Sequence, residues 1–100
     1  MRGSEWLSLR RCLAIVRRLQ MGSAKPSELT SFVIKTVGEG AYPLSASARE
    51  KAFKRDRENL RKRLGVDFSY SASLGIYTLI DAGPLLKLHL SDTSLRAIYL

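Results

Sequence analysis

A chain of 100 residues with 45% hydrophobic and 26% charged side chains is the size and make-up of one soluble globular domain with a modest core. Seventeen Lys and Arg against nine Asp and Glu leave a net charge of +8 and a pI near 10.2, which favours nucleic acid or an anionic membrane as partner and says nothing about fold. No apolar run reaches the roughly 18 residues of a membrane span, and the N-terminus lacks the apolar segment of a signal peptide, so a cytoplasmic, nucleoid-associated protein is expected.

The first predicted helix runs from Ser4, a candidate cap, to Met21, with Gly22 as its stop. Leu9, Cys12, Val16 and Leu19 recur on one face, widened by Trp6, Leu13 and Ile15, while Arg10, Arg17 and Arg18 lie on the other. Trp6 is read as a core anchor in preference to a partner-facing aromatic, and Cys12 as a small buried hydrophobe. A second helix is predicted over Pro26 to Val37, with Pro26 in the first turn, Glu28 complementing the dipole, Leu29, Phe32, Val33 and Val37 facing inward, and Gly38 ending it. The connection from Glu39 to Ala46 contains Gly40 and Pro43, and Tyr42 and Leu44 are expected to pin it to the core.

Ser47 to Leu64 is the stretch around which the chain is organised. Ser47 with Glu50 reads as a capping box, and no Gly or Pro follows until Gly65. Phe53, Leu60 and Leu64 make a narrow apolar edge flanked by Asp56 and Arg57, and Lys51, Arg55, Glu58 and Lys62 point the opposite way. Eight basic residues against three acidic ones give this helix a charge of +5 out of the total of +8. A solvated face is the ordinary reading of such a run.

The period then changes. Val66, Phe68 and Tyr70 alternate with polar residues, Ser71 to Gly75 is rich in turn formers, and Ile76 to Ile80 is β-branched or aromatic, which predicts a two-stranded hairpin closed by Asp81 to Pro84. Beyond it, Leu86, Leu88 and Leu90 suggest a short edge strand. Ser91 offers a cap for a last helix with Leu95, Ile98 and Tyr99 on one face. The expected organisation is an α+β winged helix-turn-helix over residues 1–83, three helices plus a β-hairpin wing, and a C-terminal linker strand and helix over residues 84–100.

Chemistry of other kinds finds little footing. Cys12 is the only cysteine and His89 the only histidine, and neither sits in a cluster with catalytic or metal-ligand spacing. The expectation is a non-enzyme without cofactor or metal.

Phe53, Lys54, Arg55 and Asp56, then Leu60 and Arg61, then Leu64, Gly65 and Val66, and finally Gly75, Ile76, Tyr77, Thr78 and Leu79 resemble the N-terminal winged helix of bacterial WYL-domain transcriptional regulators. The resemblance covers about residues 5 to 100, since Leu90 to Ile98 is similar to the linker that leads into the WYL domain. It implies a sequence-specific, usually dimeric regulator, with relatives in DNA-damage responses and phage defence. No WYL domain follows Leu100, so a DNA-binding fragment or stand-alone module is expected, with no effector ligand on these residues. Arg57 departs from the apolar residue often found after the Arg-Asp pair and is expected to snorkel or pair with an acid.

On this reading Ser45, Ser47, Arg49, Lys51, Lys54 and Arg55 enter the major groove of double-stranded DNA. Arg61, Lys62 and Arg63 hold backbone phosphate or remain solvated, and Ser71 and Ser73 make weak contacts from the wing tip, which carries no Arg or Lys. Asp56 is expected to orient a first-helix arginine such as Arg10 or Arg17, and Tyr77 is equally a core or a contact residue. A homodimer on an inverted repeat is expected, because Leu86, Leu88, Leu90, Leu95 and Ile98 have little core left to join. Two rivals remain: a winged-helix protein-interaction module without specific DNA binding, and an RNA or single-strand binder, which would need exposed aromatics among the basic residues.

Overall fold

The computed structural model describes residues 3–83, with side chains from residue 6 onward. Helix α1 spans Gly3–Gln20, α2 Pro26–Val37 and α3 Ala46–Lys62, with a 3-10 turn at Glu39–Ala41; strands β1, Asp67–Ser71, and β2, Ile76–Asp81, form one antiparallel hairpin. The fold is α+β. The strand and helix expected after residue 83 fall outside the described residues, as does any packing of Leu86 to Ile98. Among the described residues no helix is long and apolar enough to cross a membrane.

Arg11 to Val16 are six consecutive buried residues. Six residues exceed one and a half helical turns, so this part of α1 is covered on every side and not along one stripe. The cover comes from α2, α3 and β2, all of which pack on α1. The sequence stripe had marked one face only, and it included Trp6. Trp6 is instead 48% exposed, because only the middle of α1 is wrapped.

Punctuation sets the other elements. α2 starts at Pro26, where the Glu28 carboxylate accepts the Lys25 N–H at 2.8 Å, and ends where Gly38 donates to the Ile34 carbonyl. α3 is capped by Ser45, not Ser47: Ser45 is extended, its Oγ accepts the Ala48 N–H at 3.4 Å, and its carbonyl accepts the Arg49 N–H. Leu44, expected to pin the preceding loop, is 91% exposed, whereas Tyr42 does so and is buried. At the far end Gly65 adopts φ +65°, which lets the Val66 N–H reach the Leu60 carbonyl.

The hairpin pairs Phe68 with Leu79, Tyr70 with Tyr77 and Ser71 with Ile76, with an irregularity between Asp67 and Phe68. Phe68, Tyr70 and Tyr77 share its inner face. Tyr77 sits edge-on to Phe68 at 5.8 Å and to Phe53 of α3 at 6.0 Å between ring centres. One further contact extends the ribbon: Ala24, between α1 and α2, exchanges both backbone hydrogen bonds with Tyr77, at 3.0 and 2.7 Å. A one-residue bridge has no period, so nothing in the sequence pattern announces it.

Candidate nucleic-acid interface

α3 has three faces with different duties. Phe53, Asp56 and Leu60 point into the core. Asp56 does not flank the apolar stripe but is completely buried within it. Its carboxylate accepts from Arg11 Nε at 2.8 Å and Arg11 Nη2 at 3.2 Å, from the Tyr42 hydroxyl at 2.6 Å and from Ser8 Oγ at 3.3 Å. Arg11 also donates to the Ala41 carbonyl at 2.9 Å, and its guanidinium lies 5.0 Å from the centre of the Tyr42 ring. The partner from α1 is therefore Arg11, and not the expected Arg10 or Arg17. A charged residue adjoining the apolar run Cys12 to Val16 was the available signal, since a cation wrapped on all sides needs a buried acid.

The same cluster shifts its neighbours' protonation. Burial alone would lower the pKa of Arg11, but hydrogen bonding and charge from Asp56 override it and raise the value. Burial, and then the Asp56 charge, pushes the Tyr42 hydroxyl well above its ordinary value and the Cys12 thiol up to about 12. Cys12 is thus an unreactive core residue.

The second face turns to the hairpin. Arg57 lies over the Phe53 and Tyr77 rings, at 5.1 and 5.7 Å from their centres, and donates to the Tyr77 hydroxyl. It snorkels over aromatic rings, and among the described residues no acid pairs with it and its Nε has no hydrogen-bond partner. Arg61 stacks on Phe68 at 4.1 Å and donates to the Phe68 carbonyl at 3.4 Å. Arg49 is half-buried and donates to the Pro43 and Leu44 carbonyls, so it braces the loop entering α3. Between this face, the start of α2 and the hairpin opens a cleft of about 640 Å³, lined among others by Ser27, Thr30, Arg49, Arg61 and Tyr70. Ser27 and Thr30 were not candidates in the sequence, because only the packing of α2 beside α3 brings them there.

The third face is bare. Ser47, Lys51, Lys54, Arg55, Glu58 and Lys62 are all exposed, as is the cap residue Ser45, which shares a hydrogen bond with Ser47 at 3.1 Å. Of the candidate set, Ser47, Lys51, Lys54, Arg55 and Lys62 therefore lie together on one open helix surface. Arg49 and Arg61 sit beside it, restrained. At the hairpin tip Ser71 and Ser73 bond each other at 3.2 Å, and Ser71 also accepts the Leu74 N–H, so both hydroxyls shape the turn.

No family model, curated protein or solved structure matches the chain. The geometry has to carry the functional reading by itself. What it offers is a cationic helix surface anchored from behind by a buried ion pair, with a ribbon alongside.

Proposed function

We propose that the chain is the winged helix-turn-helix DNA-binding module of a transcriptional regulator, a non-enzyme that lays α3 in the major groove of double-stranded DNA. The observation that carries this reading is the exposed surface of Lys51, Lys54, Arg55 and Lys62 on a helix whose opposite side is fixed to the core. A helix of about 10–12 Å across fits that groove, and cations at its edge meet phosphates and base edges. The order of elements supports it too: helix, the Ala24 bridge, two helices, then two strands, with the hairpin held beside α3 by Arg57 and Arg61. Of the residues that resemble WYL-domain regulators, Phe53 to Arg61 lie on α3 and Ile76 to Leu79 on β2. Ser45, Ser47, Lys51, Lys54 and Arg55 are the groove-facing set, Lys62 and Arg63 act on phosphate, Arg49 and Arg61 brace the loop and the hairpin beside them, and Ser71 and Ser73 make at most weak wing contacts. A homodimer on an inverted repeat is part of the proposal.

Selection of bound duplexes from a random pool tests binding, specificity and half-site symmetry together. Recovery of a two-fold symmetric consensus is the expected result; recovery of no consensus overturns sequence-specific binding. A protein-interaction role is favoured by a different observation, the large apolar side chains exposed at Trp6, Leu74 and Ile80. Salt separates the two, since phosphate neutralisation makes affinity fall by orders of magnitude between about 50 and 200 mM, and an apolar interface does not.

A further inference from the structure

A second groove lies on the far side of α3, between it and α1. Its volume is about 600 Å³; Leu7, Leu9, Pro43, Ala52 and Leu64 give it an apolar floor, and Arg55 and Arg63, both exposed, line it as well. The DNA-binding reading draws on the Arg55 and Arg63 guanidinium groups but leaves the apolar floor unused. The described chain ends beside it: a Cβ placed on Gly83, at φ +89°, would come within 2.8 Å of the Leu64 and Gly65 carbonyl oxygens. The backbone therefore leaves the fold pressed against Leu64, which forms one end of the groove. The sixteen residues that follow Pro84 include Leu85, Leu86, Leu88, Leu90, Leu95, Ile98, Tyr99 and Leu100.

We propose that residues 85–100 of the same chain dock in this α1–α3 groove. Reach allows it, because from Leu64 back to Ala52 the groove follows about 18 Å of helix, and sixteen residues span about 24 Å as a helix and over 50 Å extended. Chemistry favours it, because an apolar segment meets an apolar floor. Tethering selects the same chain over a second copy: a short connection holds the segment at an effective concentration in the millimolar range, above ordinary working concentrations of protein. The consequence is that the apolar floor between α1 and α3 is covered from within the chain, on the side of α3 away from the cleft beside the hairpin.

The test uses the full chain, ¹⁵N-labelled, with a nitroxide spin label on Ser94→Cys. Cys12 is 1% exposed with its thiol pushed up to about 12, so the introduced cysteine takes the label selectively at neutral pH. Amide signals of Leu9, Ala52, Asn59 and Leu64 are expected to lose more than half their intensity, with Lys35 and Ser73 little affected. Adding Leu95→Asp and Ile98→Asp to the labelled chain is expected to restore them. Broadening spread over the whole domain, or centred outside the groove, overturns the proposal. So does broadening of the groove signals in a mixture of spin-labelled unenriched chain with ¹⁵N chain carrying no label, because the occupant is then a second copy.

Discussion

Asp56→Ala removes the acceptor at the centre of the core. The substitution strands the Arg11 guanidinium, whose side chain is 9% exposed, and orphans the hydroxyl of Tyr42, which is 3% exposed. Breaking a buried ion pair from one side costs about 3–5 kcal/mol, and an unsatisfied buried hydroxyl about 1–3 kcal/mol. The two overlap, since both report on one lost carboxylate, and about 4 kcal/mol is the working figure. Against a net stability of about 5–15 kcal/mol for a domain, that is a large share. At about 4–8 °C per kcal/mol it lowers Tm by roughly 15–30 °C. Urea and thermal unfolding followed by circular dichroism measure it. The companion variant Arg11→Met/Tyr42→Phe/Asp56→Leu removes both charges and the Tyr42 hydroxyl together, leaving of the cluster only the Ser8 hydroxyl and the Ala41 carbonyl, and is expected to regain at least half of the loss, because no charge is left buried. A loss below about 1 kcal/mol for Asp56→Ala would refute the reasoning, as would a triple variant no more stable than the single one.

On the proposed reading, Lys54→Ala or Arg55→Ala weakens binding to a selected duplex by about 1–3 kcal/mol and relaxes specificity, while Lys62→Ala costs less and acts alike on cognate and scrambled DNA; gel-shift titrations distinguish them. Stability is expected to fall in alkali. The Cys12 thiol and Tyr42 hydroxyl are raised from ordinary values of 9.0 and 10.0, so the folded state holds protons that the unfolded chain releases. Their contribution is whole below pH 9 and declines as pH rises above it, by up to about 1.4 kcal/mol per pH unit for each group. Urea midpoints at pH 8 and pH 10.5 check this, and an unchanged midpoint counts against it. Gly83→Ala is expected to destabilise by more than about 1 kcal/mol, read by the same unfolding curves, because its positive φ and the Leu64 and Gly65 carbonyls leave no room for a Cβ.

What the sequence disclosed was whatever rests on local punctuation and period. α2 could be bounded from Pro26 and Gly38, and the hairpin from the alternation after Gly65 and the turn formers before Gly75. What it hid depends on three dimensions. Ser47 and Glu50 have the spacing of a capping box, yet the helix begins two residues earlier, where Arg49 can turn back onto the Pro43 and Leu44 carbonyls. Asp56 was legible as the partner of an arginine in α1, but which arginine depends on the rotation of α1 inside its wrapping, and that rotation buries Arg11. In the candidate interface, Lys51, Lys54 and Arg55 follow from helical period alone. The restraint on Arg49 and Arg61 comes from the loop and the hairpin, which no period encodes.

That restraint changes the expected size of the salt effect. Of the eight cations from Arg49 to Arg63, three have guanidinium groups already engaged: Arg49 on loop carbonyls, Arg57 on aromatic rings and the Tyr77 hydroxyl, Arg61 on Phe68. Asp56, meanwhile, is neutralised internally by Arg11, so it subtracts nothing from the open surface. The side chains of Lys51, Lys54, Arg55, Lys62 and Arg63 are exposed and make no ion pair among the described residues. If each of these five met one phosphate, log K would fall against log salt with a slope of about −4 to −5 per protomer, and about twice that for a dimer on two half-sites. Replacing Lys62 with Ala should reduce the slope by about 1 per protomer. A slope near zero, with the protein folded, would mean that the bare side of α3 is only a solvated surface and that the proposed interface is wrong.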